Sequence, residues 1–207
     1  MKDPIDPQTT SRAAAFSLWM SSPMPMVTLT KTMDITHVVR LSKRNKLSLN
    51  MLLCHAICKA ASTIPEFFVL PEKGLLYRYS SLAVNVIVPN KDGGINSCDI
   101  PFLEDVKDFG KQYQQLTRKA SETSISSFLP ESMIIGTSAL ISTEIDTIVN
   151  QYTDKFLNPM VMWAKYRRKC FRYSLPVSFQ FHHVQMDGMQ GAKFLDNLQK
   201  EISSYAI

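Results

Sequence analysis

The 207-residue chain has few of the residues that would assign it to a specialised class of protein. It contains 4 cysteines, 7 glycines and 4 histidines, and it carries a net charge of only +5. That charge favours an anionic ligand such as a nucleotide-bearing cofactor, but it is too small to predict binding to nucleic acid. Hydrophobic residues make up 45% and charged residues 20%, which excludes wholesale disorder.

The four cysteines, Cys54, Cys58, Cys98 and Cys170, do not form a disulfide framework. Cys54 and Cys58 lie within a helical pattern, which predicts that they are small core residues. His55 lies between them and suggests a metal cluster only superficially, because neighbouring side chains on a helix point about 100° apart. We therefore expect no metal, and the cysteine usage favours a cytoplasmic protein.

No long apolar run is present, so the sequence predicts neither a transmembrane span nor a secretory signal, and we expect no membrane association. The first residues, MKDPIDPQTTSR, are polar and contain two prolines. No repeat, low-complexity tract or linker divides the chain, which favours a single domain over residues 1–207. There is no glycine-rich phosphate loop, and NKDGG at 90–94 is typical of a hairpin turn.

Hydrophobic periodicity predicts a mixture of helices and strands. Helices are expected at 11–22, about 36–44, 48–64, 104–122 and from about 189 onward. Strands are expected at 26–36, 74–80, 81–89, 95–102, 132–143, 159–171 and 173–183. The strand at 81–89 is nearly continuous in valine and isoleucine, as expected of a strand covered on both faces. The absence of strict βαβ alternation predicts an α+β fold or a mixed-sheet α/β sandwich.

Two adjacent histidines end the apolar strand VSFQFHH at 177–183. Alternation places His183 at the end of an apolar row and His182 in a polar row, so the two rings point in opposite directions and do not share a metal ion. An imidazole in partly dry surroundings stays neutral and accepts a proton, which makes His183 a candidate base. A hydrogen-bonded core histidine is the alternative. Asp187 returns a carboxylate to the same region, and Gly188 allows a backbone conformation that other residues resist.

The motif HHVQMDG at 182–188 resembles the His-His-x-x-x-Asp-Gly motif of the chloramphenicol acetyltransferases and of the acyltransferase cores of 2-oxo acid dehydrogenase complexes. The similarity covers about residues 7–202 and includes SRAAAFSLW, MVTLTKTMDIT, IPEF, TSAL, MWAKY and LPVSFQFHH. It implies an α/β (α+β) two-layer sandwich, in which helices cover a mixed β-sheet. It also implies a homotrimer with active sites at subunit interfaces. The compact length fits a stand-alone acetyltransferase, since no lipoyl or linker segment is present.

The resemblance also implies the roles of particular residues. His183 would be the base for a substrate hydroxyl that attacks acetyl-CoA directly, and Ser138 in TSAL would stabilise the tetrahedral intermediate. Asp187 would form a buried ion pair with Arg12 that holds the histidine-bearing turn. From the residues alone, Ser138 is an ordinary strand serine and Arg12 an exposed cation at a helix start.

Lys165 and Tyr166 match the family's Lys-Tyr pair along the coenzyme A tunnel. A solvated basic strand end explains them equally well.

Three positions depart from the family in the region of the acceptor. Leu18 and Trp19 stand where many members have Phe-Tyr, and Met162 stands where many have Thr. ISTEIDTIVNQ after Ser138 also lacks the usual aromatic turn. We therefore expect an acetyl-CoA-dependent O-acetyltransferase that acts on chloramphenicol or another small hydroxylated molecule. A non-catalytic small-ligand-binding protein on the same scaffold is the alternative.

Overall fold

The computed structural model describes residues 2–206, which form five α-helices and ten β-strands. The helices are α1 Ala13–Trp19, α2 Thr36–Asn45, α3 Leu49–Ser62, α4 Val106–Thr123 and α5 Gly188–Ser204. The strands are β1 Lys2–Ile5, β2 Met26–Asp34, β3 Val69–Glu72, β4 Leu75–Tyr79, β5 Leu82–Pro89, β6 Ile95–Pro101, β7 Met133–Leu140, β8 Met160–Ala164, β9 Arg167–Lys169 and β10 Arg172–His182.

A seven-stranded sheet is the centre of the molecule. Its order is β2-β10-β8-β7-β5-β6, with the short β9 paired to β10. The β5–β7 and β7–β8 pairs are parallel, and the other pairs are antiparallel. Helices α3 and α5 pack against each other and against the sheet. The predicted two-layer sandwich with a mixed sheet is therefore confirmed.

The apolar core lies between the sheet and these helices. Phe179 and Phe181 on β10 face Phe67 and Phe194, with neighbouring ring centroids 4.5 to 5.8 Å apart. All four rings are fully buried. Burial of such rings is a main source of folding free energy in a domain of this size. It fixes which face of β10 points inward.

The opposite side of the sheet, called the outer face below, carries a buried polar row. Ser178, Gln180 and His182 of β10 point there and are 1 to 2% exposed. The segment that follows β7 covers the first two of them. The amide of Ile148 donates to Ser178 Oγ at 2.9 Å, and Gln180 Nε2 donates to the carbonyl of Asn150 at 3.2 Å. The alternation of β10 is thus apolar on one face and hydrogen-bonded polar on the other.

Several predicted elements differ from the structure. The helix expected at 11–22 is only Ala13–Trp19, and the strand expected at 159–171 is interrupted at Lys165 and Tyr166. A separate three-stranded sheet, ordered β1-β4-β3, contains two short strands that the sequence does not predict. Both contain a proline, which removes a backbone donor and restricts a strand to an edge position.

The strand at 81–89 is not covered on both faces throughout, because Ile87 is 45% exposed.

The prediction for the cysteines concerned Cys54 and Cys58. Cys54 and Cys58 are fully buried core residues, as predicted, whereas Cys170 is exposed. Burial raises the pKa of the Cys54 thiol to about 12, which keeps it protonated and inert. None of the described helices has both the length and the apolar character needed to cross a bilayer.

Candidate active site

The histidine-bearing turn connects β10 to α5. Strand β10 ends at His182, so His183 lies in the turn and not in the apolar row of the strand. Its amide donates to the carbonyl of Pro25 at 2.8 Å, which joins the turn to the residue before β2. The His183 side chain is 29% exposed and stacks on Trp19, with ring centroids 4.7 Å apart and planes 5° from parallel. The imidazole is therefore held between a stacked indole and solvent.

Arg12 fixes the conformation of this turn through hydrogen bonds. Its guanidinium donates to the carbonyl oxygens of His183 at 2.7 Å and Val184 at 2.9 Å. It also makes a bidentate pair with the Asp187 carboxylate, with both N···O distances at 2.8 Å. Arg12 is 7% exposed, so it is not the exposed cation that its position near a helix start suggests. All four of these guanidinium hydrogen bonds go to residues within 183–187.

Asp187 has a second structural role at the start of α5. It occupies the N-cap position, and its amide donates to the side-chain oxygen of Gln190 at 3.2 Å. The hydrogen bonds from Arg12 hold the pKa of Asp187 below its usual value, against the opposing effect of burial. Gly188 begins the helix without a positive φ, so the prediction of a special backbone conformation there is wrong.

The ring nitrogen Nδ1 of His183 faces the carboxylate of Asp187. Nδ1 lies 3.2 Å from Asp187 Oδ1, but the two atoms lack the alignment of a hydrogen bond. Within residues 2–206, no other group bonds to this nitrogen. A carboxylate at this distance favours the tautomer that carries its proton on Nδ1, which leaves Nε2 free to accept one.

His182 differs from His183 in that it is almost fully buried. It is 1% exposed, and its Nδ1 accepts the amide proton of Val184 at 3.1 Å. Burial, with a smaller contribution from the nearby His183, lowers the pKa of His182 to about 4. Its ring is therefore neutral at physiological pH and serves to hold the turn.

Ser138 lies on the outer face of the sheet, away from His183 of the same chain. It stands opposite Met162 on β8, which in turn stands opposite Ser178 on β10. From Ser178 to His183 is five residues along β10, and β7 is two strands away. Strand geometry therefore separates Ser138 from His183 by roughly 15–20 Å within one protomer. One chain alone does not bring these two predicted site residues together.

Lys165 and Tyr166 line a separate cleft at the interruption between β8 and β9. The cleft has a volume of about 410 Å³, and Leu49 and Asn50 at the start of α3 form its opposite wall. Tyr166 is half-buried and packs edge-on against Tyr173, with ring centroids 5.5 Å apart. Lys165 is exposed. The cleft thus offers an aromatic face and a free ammonium group close together.

The three predicted acceptor-binding residues have different surroundings. Trp19 stacks on His183, and Leu18 beside it is 68% exposed. Met162 is only 2% exposed and is not among the residues that line the cavity described next.

A feature that the sequence analysis missed is a cavity of about 310 Å³ on the outer face, into which Asn85 and Asp99 project. An acidic residue inside the apolar strand INSCDIPF is the signal that could have revealed it. Among residues 2–206, no group of three or more His, Cys, Asp or Glu side chains is arranged to hold a metal ion.

One family of known proteins matches this chain. The family model described as "Chloramphenicol acetyltransferase" matches residues 3–199. The chain is 25% identical to chloramphenicol acetyltransferase 2 of Escherichia coli over 200 residues, which cover 94% of each protein. It is 24% identical to the chloramphenicol acetyltransferase of Vibrio anguillarum, over 97% of this chain and 94% of that protein.

Solved structures show the same fold. A chloramphenicol acetyltransferase structure matches 97% of this chain and 99% of its own, with a TM-score of 0.82 and 18% identity. A truncated catalytic core of the 2-oxoacid dehydrogenase multienzyme complex from Thermoplasma acidophilum matches 99% of this chain and 100% of its own, with a TM-score of 0.70 and 15% identity. Because the family model spans nearly the whole chain, this protein belongs to the chloramphenicol acetyltransferase family.

Proposed function

We propose that this protein transfers the acetyl group of acetyl-CoA to a hydroxyl of a small molecule, in one step within a ternary complex. Family membership makes it an acyltransferase. The observation that carries the finer proposal is the Arg12–Asp187 clamp, because it fixes the turn that presents a partly exposed imidazole. Such support of a single side chain is typical of a residue whose position decides the rate.

His183 is the general base in this mechanism. Its Nε2 accepts the proton of the acceptor hydroxyl while the hydroxyl oxygen attacks the thioester carbonyl. Asp187, 3.2 Å from Nδ1, favours the tautomer that leaves Nε2 unprotonated and stabilises the imidazolium that forms. The tetrahedral intermediate then expels the thiolate of coenzyme A, which takes the proton back from His183. The products are an acetyl ester and free coenzyme A.

Ser138 donates a hydrogen bond to the oxyanion of that intermediate. One well-placed donor of this kind lowers a barrier by roughly 3 kcal/mol. Because Ser138 and His183 lie far apart in one protomer, the serine comes from a second chain. The assembly proposed is a homotrimer in which each site is formed between two subunits.

Exposed apolar residues near Ser138 support such an assembly. Leu140 and Ile141 follow the serine and are 46% and 71% exposed. Val149 and Phe156, in the segment that crosses the outer face, are 68% and 72% exposed. Large apolar side chains this exposed on one side of a molecule are typical of a subunit interface.

The cleft beside Lys165 and Tyr166 is the proposed site for coenzyme A. The ammonium of Lys165 would bind a phosphate of the cofactor, and the ring of Tyr166 would lie against its adenine. Asn50 at the cleft wall donates to the hydroxyl of Tyr113 at 2.8 Å, so that wall is fixed by a bond between two helices.

The test is release of free thiol from acetyl-CoA in the presence of a panel of small alcohols. The enzyme releases thiol only when a suitable acceptor is present, and His183→Ala abolishes the release. Met189→Ala, which truncates a 78% exposed side chain on the adjacent helix, is the matched control and retains activity.

Binding of the alcohols without thiol release would favour the non-catalytic binding protein.

A further inference from the structure

The cavity on the outer face has a lining that is part apolar and part polar. Its large apolar residues are Met26, Phe128, Ile134, Phe156 and Met160, and Asn85, Ser97 and Asp99 form one polar end. The other polar residues of the lining are Asn150, Gln151, Thr153 and Asn158. A volume of about 310 Å³ accommodates a molecule with one aromatic ring and a short side chain. Apolar walls with a few convergent polar groups are the usual composition of a small-molecule site.

Asp99 is the charged group at the polar end. It is 3% exposed and stands directly opposite Asn85 on the neighbouring strand. One carboxylate oxygen accepts from Asn85 Nδ2 at 2.6 Å, and the other accepts from the amide of Leu129 at 2.8 Å. The same Asn85 amide group also donates to Ser97 Oγ at 2.7 Å. The carboxylate is thus held in place by neutral donors.

Nothing in the described part of the chain supplies Asp99 with a cationic partner, since no ion pair there includes it. A buried carboxylate without a counter-charge is costly, and neutral hydrogen bonds offset only part of that cost. Each carboxylate oxygen has further acceptor capacity beyond the bond it makes. A ligand with a positive charge at this end of the cavity would supply the missing counter-charge of Asp99.

The cavity lies next to the proposed oxyanion donor. Gly136 forms part of its wall and is two residues before Ser138 on β7, so the two residues share a face about 7 Å apart. A molecule whose charged end lies at Asp99 would therefore extend along the outer face toward Ser138. The exposed Phe156 and Phe128 would cover its apolar body.

We propose that this cavity binds the acetyl acceptor and selects an amino alcohol, whose ammonium group pairs with Asp99 and whose apolar body lies between the methionine and phenylalanine side chains. The assignment of an acceptor rests on the proposed acetyltransferase function. An ammonium group bound to Asp99 keeps its proton and has no lone pair for attack. The acetyl group therefore moves from the thioester sulfur to the hydroxyl oxygen, and the nitrogen is not acetylated.

The test compares two molecules of the same shape that differ in charge. The probes are 2-amino-1-phenylpropane-1,3-diol and 1-phenylpropane-1,2,3-triol, in which a hydroxyl replaces the ammonium group. Calorimetric titration into the full-length protein should give a dissociation constant at least about tenfold lower for the amine, because a charge-assisted bond in a buried site is lost with the triol. Equal affinity for the two probes would overturn the proposal.

Asp99→Asn should remove this preference while leaving the affinity for the triol unchanged. Asp154→Asn is the matched control, because it removes the same charge from an exposed position near the cavity and should keep the preference. If Asp99→Asn does not fold, the comparison of the two probes with the unaltered protein still decides the question. An amine preference that survives in a folded Asp99→Asn protein would contradict the role of Asp99.

Thiol release distinguishes this inference from the function on which it rests. If the protein acetylates neutral alcohols such as chloramphenicol but shows no amine preference, the acetyltransferase proposal stands and this inference fails. If the amine binds through Asp99 but no acceptor releases thiol, the cavity's selectivity stands and the acetyltransferase proposal fails.

Discussion

At the scale of single residues, Arg12 organises the site. Four of its hydrogen bonds go to the turn that carries His183. Two of them satisfy backbone carbonyl oxygens that would otherwise need water as a donor. The guanidinium is suited to this task because its rigid fork donates in several directions at once. A lysine at this position has the charge but not the geometry.

Replacing Arg12 by alanine should destabilise the protein by about 2–3 kcal/mol and reduce activity strongly. Breaking a fully buried ion pair costs roughly 3–5 kcal/mol, but the Asp187 side chain is 47% exposed, so solvent stabilises part of its charge. Denaturant unfolding measures the loss, and thiol release measures the rate. Arg118→Ala is the control, since the Arg118–Glu122 pair is exposed to solvent and should contribute little to stability. Equal effects of the two substitutions would contradict the clamp.

Burial of His182 makes the stability of the protein depend on pH. The folded protein holds the pKa of His182 at about 4, below its ordinary value of 6.5, through burial. A lowered histidine pKa means that the unfolded chain binds more protons between these two pH values. The corresponding stability is fully present above about pH 6.5 and is lost as the pH falls toward 4, by roughly 3 kcal/mol.

Unfolding free energies measured from about pH 7 to pH 4, at one protein concentration, should reveal this loss. His182→Asn keeps an acceptor for the amide of Val184 but does not titrate, so its stability should fall less steeply over the same interval. His55 is buried and its pKa is lowered in the same direction, so His55→Asn gives a second, independent comparison. Identical slopes for the His182→Asn variant and the unaltered protein would show that burial of His182 does not control acid stability.

At the scale of helices and strands, the sequence predicted the elements that have a long, regular hydrophobic pattern. Strand β10 and helices α3 and α4 have this character, because one face of each packs on the core. Short strands without such a pattern, β1 and β3, were missed because their pairing with β4 is decided by tertiary contacts. The interruption at Lys165 was missed for the same reason, since the surrounding residues MWAKYRRK have strand-like composition.

The site was predictable to a similar degree. A local motif contains His183 and Asp187, and the resemblance added Arg12 from the other end of the chain. The stacking of Trp19 on His183 and the placement of Asp99 in a cavity could not be predicted, because both depend on contacts between distant segments.

Helix α5 packs so closely on the sheet that Gly191 has no room for a side chain. A Cβ atom there would lie 2.6 Å from Phe181 Cε1 and 2.9 Å from Leu29 Cδ1. Gly191→Ala should gain about 1 kcal/mol of helix propensity but lose about 1–3 kcal/mol by overpacking, so the expected net effect is destabilisation. Gly188→Ala in the same helix has no atom within 4 Å of the added Cβ and should be neutral or stabilising. Thermal unfolding of both variants measures the difference, and a stabilised Gly191→Ala protein would contradict this packing.

At the scale of the whole molecule, the proposed mechanism requires two distant residues to act on one substrate. Ser138 is on β7, and His183 lies beyond the end of β10, two strands away. Folding of one chain cannot close this distance, because Ser138 is fixed in the sheet and the turn that carries His183 is fixed at the end of β10. A closed ring of identical subunits would bring the two residues together without moving either strand, because each interface can combine the histidine of one chain with the serine of the next.

This arrangement predicts that two impaired variants complement each other. Ser138→Ala lowers activity about 10²–10³-fold and His183→Ala abolishes it, so each homotrimer alone is nearly inactive. In hybrid trimers refolded from an equal mixture, a site is intact when its histidine comes from the Ser138→Ala chain and its serine from the His183→Ala chain. Random assembly gives this combination in about one quarter of the sites, so thiol release should recover to about a quarter of the unaltered rate. Mixing the two folded variants without dissociation is the control and should give no recovery. If each site belonged to a single chain, every hybrid site would lack one of the two residues, and refolding would restore nothing.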